Sequence, residues 1–203
     1  MTTDKRTIAL DIDDVLVDMN ETMRLWSNRV SGVELTPEQY QMPAEYWGYY
    51  ERVWETYGLK GLSYDDFEAD LIADQLHVPV LAGASFAIEE LQKQFHVILI
   101  TSRNTELERQ TRAWVKAHLP GDIDIYFAKN NRLKSGRSKG ELCVELGAFM
   151  LIDDNVEHIT SALNEGVEAI LFGDYGWQPS IPNGAIRCSS WPAVLEVLNG
   201  RAE

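Results

Sequence analysis

Two aspartates, one residue apart, follow an apolar run near the start of the 203-residue chain. Residues 8–10 are typical of a buried strand, and side chains two positions apart on an extended chain point to the same side. Burial and mutual repulsion disfavour charged carboxylates there unless a cation or a hydrogen-bond donor compensates. Asp11, Asp13 and the adjacent Asp14 therefore predict a metal site or a cationic partner. For this stretch alone, a solvated acidic turn is the alternative.

Polar residues also follow two later apolar runs. Ligands of parallel sheets bind at the carboxyl ends of the strands, so residues that end different strands meet at one edge. Three such clusters are hard to explain as independent solvated turns, and we predict one functional site there. The two later clusters are Thr101, Ser102 and Arg103 after residues 97–100, and Asp153 and Asp154 after residues 149–152.

The elements that would position these residues alternate between helix and strand after Gly83. The pattern predicts an α/β fold, a Rossmann-like parallel sheet with helices on both faces. On the first of these helices, Phe86 is predicted to be buried. The predicted helices are 84–95, 105–119, 139–146, 157–164 and 192–198, and the predicted strands after the first are 97–100, 123–127, 149–152, 167–172 and a short one near Ile186.

A stretch without strand patterns separates the first strand from this alternation. Residues 15–33 are compatible with a helix that ends near Gly32, and residues 36–79 are rich in aromatic side chains. We therefore predict two domains, a core formed by residues 1–17 and 83–203 and a small helical cap formed by residues 18–82. At helical spacing most of the aromatic residues would form the cap's own core.

The composition narrows the function classes. Eighteen basic residues against thirty-two acidic ones give a net charge of −14, which repels polymeric nucleic acid and anionic membrane surfaces. No apolar run approaches a membrane span, and the polar start of the sequence predicts no signal peptide. We expect a cytoplasmic monomer or homodimer, with Cys143 and Cys188 reduced and buried.

In its ordered motifs the chain resembles the haloacid dehalogenase-like (HAD) superfamily of phosphatases. That pattern places DxD after one apolar strand, Thr or Ser after another, then a lysine, and then an apolar strand ending in DD. The resemblance covers residues 8 to about 172. The motifs read Asp11-Ile12-Asp13, Ile100-Thr101-Ser102-Arg103, Lys139, and Leu151-Ile152-Asp153-Asp154.

The resemblance implies Asp11 as a nucleophile that attacks phosphorus to form an aspartyl-phosphate. Asp13 would protonate the leaving oxygen and then activate water, while its backbone carbonyl helps to hold a metal. Its presence favours a phosphohydrolase over a dehalogenase. Ser102 or Thr101 would hydrogen-bond the phosphoryl oxygens, and a lysine would neutralise charge on them.

The metal implied by the resemblance is Mg²⁺, since oxygen ligands suit a hard cation that also binds phosphate. Asp153 and Asp154, the latter directly or through water, would complete a shell begun by Asp11 and Asp13.

Several residues could supply the phosphate-neutralising cation. Lys139 matches the usual order of motifs, because it opens the helix that leads into the Asp153 strand. Lys129 and Lys134 lie in the same basic loop, and in some relatives the cation comes from the helix after the second strand, where this chain has Arg109 and Arg112.

The expected partner is a small phosphorylated substrate, with a nucleoside monophosphate as the first hypothesis. The DxDxVLxD signature and the compact cap are similar to the cytosolic 5′(3′)-deoxyribonucleotidase family, although Arg103 and Asp14 stand where those proteins have proline and glycine. Trp47, Tyr49 and Tyr50 are candidates to line the cleft against a base. Arg103 would bind a substrate anion, or pair with Asp14 or another carboxylate.

The sequence leaves alternative hypotheses for the substrate and for the function. The substrate could be a phosphosugar or another small metabolite. From different classes, a receiver-like signalling domain uses similar residues in another order, and a catalytically silent binding domain could retain the fold. Histidine 158 follows the DD pair closely, but its helix could turn it either toward the site or away.

Overall fold

A computed structural model describes residues 5–130 and 136–200 of the chain. Its centre is a six-stranded sheet in which all paired strands run parallel, in the order β3-β2-β1-β4-β5-β6. The predicted α/β, Rossmann-like fold class is confirmed. The strands are β1 Thr7–Leu10, β2 His96–Thr101, β3 Ile125–Phe127, β4 Ala148–Asp153, β5 Glu168–Phe172 and β6 Ile186–Cys188.

Helices connect the strands and cover both faces of the sheet. Short 3₁₀ helices occur at Pro37–Gln41 and Thr105–Leu107. The α-helices are α1 Met19–Ser31, α2 Tyr49–Thr56, α3 Tyr64–Ala73, α4 Ala84–Gln94, α5 Glu108–His118, α6 Lys139–Glu145, α7 Val156–Asn164 and α8 Trp191–Asn199.

Alternate residues of a strand enter different core layers, as the pleat of a sheet requires. In β1, Leu10 belongs to the layer that contains Ile88 of α4 and Trp191 of α8. Ala9 belongs to the opposite layer, which contains Ile159 of α7. Because β1 is buried on both faces, its carboxyl end has a fixed position in the molecule.

The segment between β1 and α4, residues 18–82, contains α1 to α3 and is called the inserted segment below. Its two ends run side by side. Val17 and Val80 form an antiparallel bridge, the Asp18 amide donates to the Pro79 carbonyl at 3.1 Å, and the Leu81 amide donates to Leu16 at 2.8 Å. The inserted segment therefore leaves and rejoins the sheet region at one place.

The first helix begins later than the pattern of residues 15–33 predicts. Residues 15–17 instead form a buried turn after β1, and α1 begins at Met19. The side chain of Asp18 accepts a hydrogen bond from the Glu21 amide at 3.3 Å, which caps the first turn. The helix ends at Ser31, which agrees with the predicted end near Gly32, and Gly32 follows it in the left-handed conformation.

The prediction that Phe86 is buried is wrong. The residues that α4 buries are Ala84, Ala87, Ile88 and Leu91, which follow one helical stripe. Phe86 falls outside this stripe, and 61% of its surface is exposed.

Both cysteines are buried and free, in agreement with their predicted state. Within residues 5–130 and 136–200, no helix combines the length and the apolar character needed to cross a bilayer.

Candidate active site

The carboxyl ends of three neighbouring strands bring the predicted residues together. Leu10 at the end of β1 is in register with Leu99 of β2 and Ile152 of β4. The Asp11 amide donates to the Ile152 carbonyl at 2.9 Å, which extends the pairing by one residue. Asp11 consequently lies beside Asp153 on one side and near the end of β2 on the other.

Lys139 lies between the two carboxylates. Its Nζ is 2.7 Å from Asp11 Oδ1 and 2.6 Å from Asp153 Oδ2, and the lysine side chain has no exposed surface. The lysine is the first residue of α6, where Ser138 and Glu141 form a reciprocal capping box. The cap fixes the start of the helix and thereby the root of the lysine side chain.

The charges in this cluster depend on one another. Burial raises the pKa of Asp11 to about 7, with Lys139 opposing the shift. Burial alone would also raise the pKa of Asp153, but Lys139 and then His158 outweigh it and lower the pKa to about 2. For Lys139, burial favours the neutral amine, yet the two carboxylates raise its pKa above the ordinary value. The lysine is therefore the cation that compensates buried negative charge here.

Three side chains offer ligand atoms for a metal ion. Single atoms of Asp11, Asp153 and His158 all lie within 4.8 Å of one another. Asp11 Oδ1 is buried and receives no well-aligned hydrogen bond from the described residues, although Lys139 is close. Two buried carboxylates whose oxygen atoms converge fit a hard cation such as Mg²⁺.

His158 is the member of this group that the sequence left unplaced. Its Nδ1 is 3.3 Å from Asp153 Oδ1, and its Nε2 is 3.5 Å from Ser102 Oγ. Burial lowers the pKa of His158, which favours the neutral ring. The only signal in the sequence was its place in the first turns after Asp153-Asp154, and that spacing did not determine which way the ring points.

Asp154, predicted as a metal ligand, lies outside the group of three. Trp177 Nε1 donates to its Oδ2 at 2.8 Å, and Gln178 Nε2 donates to its carbonyl at 2.7 Å. The side chain thus anchors the loop after β5. The Asp13 carboxylate is also outside the group, because it pairs with Arg103.

Arg103 pairs with Asp13 and not with Asp14, so of the alternatives that the sequence left open the structure shows the pairing with another carboxylate. Arg103 Nη2 is 2.7 Å from Asp13 Oδ1, and Nε is 2.9 Å from Oδ2. Asp14 turns away because its backbone has a positive φ of 55°. Its Oδ1 accepts from the Asn20 amide at 2.8 Å, which joins it to the start of α1.

The end of β2 places its two hydroxyls differently. Thr101 is fully buried, and its Oγ1 accepts from the Arg103 amide at 3.1 Å. Ser102 is partly exposed and lines the cavity between the strand ends and the inserted segment. Of the two predicted phosphate-binding hydroxyls, Ser102 is thus the one that faces open space.

A cavity of about 480 Å³ separates the strand ends from the inserted segment. Trp47 and Tyr50, both predicted to bind substrate, line it, and Trp47 Nε1 donates to Glu157 of α7 at 2.9 Å. The sequence did not point to Tyr46 or Trp177, which reach the cavity from distant parts of the chain. The aromatic lining consists of Tyr46, Trp47, Tyr49, Tyr50, Tyr64 and Trp177.

Of the other cations considered for the phosphate, those among the described residues do not line the cavity. Lys129 and Arg109 are exposed and do not line the cavity. Arg112 pairs with Glu108 on the surface at 2.8 Å. Lys134 falls outside the described residues.

Solved structures of low sequence identity share this architecture. A haloacid dehalogenase-like protein of unknown function from Agrobacterium tumefaciens matches with a TM-score of 0.62 and 17% identity, covering 98% of this chain and all of the other. The chain has the haloacid dehalogenase-like fold. A predicted phosphoglycolate phosphatase from Haemophilus somnus also has this HAD-like fold, at a TM-score of 0.59, 14% identity and coverage of 98% and 100%.

A third HAD-like structure was solved with ligands. D,D-heptose 1,7-bisphosphate phosphatase from B. bronchiseptica, complexed with magnesium and phosphate, matches with a TM-score of 0.55 and 16% identity, covering 97% of this chain and 99% of the other. No protein-family model and no curated protein sequence matches the chain.

Proposed function

We propose that this protein is a Mg²⁺-dependent phosphomonoesterase that works through an aspartyl-phosphate on Asp11. The observation that carries the proposal is the buried Lys139, whose Nζ lies within 2.7 Å of both Asp11 and Asp153 beside an aromatic cavity. The HAD-like fold supports the proposal, because Asp11 and Asp153 end two central strands of its sheet. The inserted segment would act as the cap domain that covers the site.

In the first half of the reaction, a carboxylate oxygen of Asp11 attacks the phosphorus of the substrate. The bond from phosphorus to the leaving oxygen breaks, and Asp13 gives that oxygen a proton. Lys139 favours the carboxylate form of Asp11, which its burial would otherwise disfavour. Ser102 donates a hydrogen bond to a phosphoryl oxygen.

In the second half, Asp13 accepts a proton from a water molecule whose oxygen attacks the same phosphorus. The bond between phosphorus and Asp11 breaks, so orthophosphate leaves and Asp11 is regenerated. Asp13 is then protonated again and ready for the next substrate.

Asp11 and Asp153 would hold the Mg²⁺ ion, with His158 at the same place. When bound, the ion supplies positive charge that neutralises the phosphoryl oxygens. Asp154 remains a proposed ligand only through an intervening water, since its Oδ2 already accepts from Trp177.

For the substrate, we propose a nucleoside monophosphate, with a phosphosugar as the alternative. A cavity of about 480 Å³ is within the common range of small-molecule sites, roughly 300–1,000 Å³. Its aromatic lining supports a flat base, because aromatic faces stack on nucleobases. A small metabolite of this kind also suits the net charge of −14, which disfavours polymeric nucleic acid.

The enzymatic proposal is tested with p-nitrophenyl phosphate in the presence and absence of Mg²⁺. We expect hydrolysis by the wild type with Mg²⁺ and none by Asp11→Asn, which keeps the size of the side chain. Asp122→Asn, at an exposed position away from the cavity, is the matched control and should remain active. Mg²⁺-dependent turnover by Asp11→Asn would refute the mechanism.

The substrate proposal is tested with a panel of nucleoside monophosphates and phosphosugars. Replacing Trp47 by leucine should raise KM for nucleoside monophosphates by about 10-fold, since stacking on one base contributes about 1–3 kcal/mol. Phe86→Leu removes an exposed aromatic outside this cavity and should change nothing. A preference for phosphosugars that is unaffected by Trp47→Leu would favour the alternative.

A further inference from the structure

We infer that Arg103 is a positioning residue for Asp13 and does not bind the substrate phosphate. This inference rests on the proposed function, in which Asp13 is the acid and base. It concerns a residue whose role the sequence left open between binding a substrate anion and pairing with a carboxylate.

The guanidinium group holds Asp13 at two points. Nη2 donates to Oδ1 at 2.7 Å, and Nε donates to Oδ2 at 2.9 Å and to Oδ1 at 3.2 Å. Only 5% of the Arg103 side chain is exposed, against 28% for Asp13. A two-point ion pair fixes both the position and the plane of a carboxylate, which a single contact cannot do.

The third nitrogen of the guanidinium, Nη1, donates to residues on the side away from Asp13. Nη1 donates to Thr111 Oγ1 of α5 at 3.0 Å and to Gln75 Oε1 at 3.3 Å. Thr111 and Gln75 are both buried and carry no charge. These neutral acceptors orient the arginine, and Asp13 is the carboxylate that its guanidinium contacts.

The backbone of Arg103 is fixed as well. Its amide donates to Thr101 Oγ1 at 3.1 Å, immediately after β2. The residue that holds Asp13 is therefore tied to a central strand, to α5 and to the return end of the inserted segment. An arginine that binds a substrate phosphate at two points needs two donors directed at it, whereas four of the five guanidinium N–H groups of Arg103 already face protein acceptors.

The role of Arg103 is tested with two substrates whose leaving groups differ. p-Nitrophenol leaves readily without a proton, whereas an alkyl alcohol needs the acid. Arg103→Lys keeps the charge but loses the two-point contact. We expect kcat/KM to fall by about 10-fold for p-nitrophenyl phosphate and by about 100-fold for glycerol 2-phosphate, because a misplaced acid penalises the poorer leaving group more.

Inhibition by orthophosphate separates positioning from phosphate binding. The inhibition constant should stay within about two-fold of the wild-type value in Arg103→Lys. Arg112→Lys is the matched control, since Arg112 makes a surface pair with Glu108, and it should leave all three measurements unchanged. A weaker inhibition by orthophosphate, with equal losses on both substrates, would overturn the inference and make Arg103 a phosphate ligand.

A second variant avoids any change in the ion pair itself. Thr111→Val keeps the shape of a fully buried side chain and removes one acceptor of Nη1. We expect a smaller loss with the same dependence on the leaving group, and no change in orthophosphate inhibition. If kcat/KM falls by the same factor on both substrates, in Thr111→Val as well as in Arg103→Lys, the inference is overturned. If the wild type itself hydrolyses neither ester with Mg²⁺, the proposed function fails, which is a different result.

Discussion

At the scale of single residues, the molecule is built around a buried positive charge. Lys139 has no exposed side-chain surface and contacts carboxylates that end two different strands. Removing one partner of a buried ion pair leaves the other charge without compensation, which is costly. The lysine is therefore expected to stabilise the fold as well as the reaction.

Lys139→Met should lower the free energy of unfolding by about 3–5 kcal/mol, because Asp11 and Asp153 lose their shared cation. Urea denaturation measures this change, and the same variant should lose phosphatase activity. Arg137→Met is the control, as Arg137 pairs with Glu145 at the surface and such pairs contribute less than about 1 kcal/mol. Equal stability of the two variants would contradict the structural role of the lysine.

Replacing the buried Asp14 should raise the free energy of unfolding at neutral pH, whereas replacing Lys139 should lower it. Burial raises the pKa of Asp14 well above the ordinary value for aspartate, with the neighbouring Asp13 adding to the shift. A folded-state pKa above the unfolded one means that the folded chain binds more protons in the window between the two values. Stability contributed by this group is therefore complete below pH ~4, the ordinary aspartate pKa, and is lost as the pH rises toward the folded value.

Asp14→Asn should consequently be more stable than the wild type at pH 8, by ~1 kcal/mol or more, since one pKa unit corresponds to about 1.4 kcal/mol. Asparagine keeps the acceptor for the Asn20 amide and tolerates the positive φ. Thermal melts at pH 4.5 and pH 8 in the presence of a chelator should show the gain shrinking at the lower pH. A gain independent of pH, or one matched by the exposed Asp122→Asn, would contradict this account.

At the scale of elements, the site depends on the close packing of α6 against α7. A Cβ atom on Gly140, the second residue of α6, would lie 2.5 Å from the Ser161 carbonyl oxygen of α7. Glycine therefore allows α6 to approach closely enough for the adjacent Lys139 to reach between the strand ends.

Gly140→Ala should destabilise the protein although alanine favours a helix. Overpacking costs about 1–3 kcal/mol, against a gain in helix propensity of about 1 kcal/mol. We also expect lower kcat, because the shift of α6 moves Lys139. Gly200→Ala is the matched control, with no atom closer than 3.8 Å to the added methyl group, and should be neutral. Unchanged urea denaturation of Gly140→Ala would show that the two helices can separate freely.

The sequence predicted the elements well because each buried strand is a continuous apolar run, as in β2 and β4. The same reasoning placed Asp11 and Asp153 at one sheet edge. It could not choose the partner of Arg103, since Asp13 and Asp14 are adjacent and the backbone turn at Asp14 directs them apart. Phe86 was misplaced because its large apolar side chain suggests burial, whereas the small Ala84 and Ala87 complete the buried stripe of α4 with Ile88 and Leu91.

Across the whole molecule, negative charge predominates, but at the candidate active site buried cations compensate the carboxylates. The net charge is −14, yet Lys139 and Arg103 are buried where the carboxylates gather. His158 and Trp177 complete the surroundings from the helix after β4 and the loop after β5. Neither could be placed from the sequence, because their approach depends on how distant segments pack.

The same arrangement explains why the inserted segment is central to the proposed function. Its aromatic side chains form one wall of the cavity, and both of its ends meet beside the turn that follows Asp13. The segment is also tied to the core beside the cavity, by Trp47 to Glu157 of α7 and by Gln75 to Arg103.

The proposed mechanism requires transfer of a phosphoryl group to Asp11. The most direct test is to quench the enzyme during turnover of p-nitrophenyl phosphate with Mg²⁺, reduce it with borohydride and analyse the peptides by mass spectrometry. Asp13→Asn should accumulate the intermediate, because p-nitrophenol leaves without an acid but water is no longer activated. We expect homoserine in place of aspartate at position 11. Turnover without this modification, or reduction at Asp153 instead, would contradict the proposed mechanism.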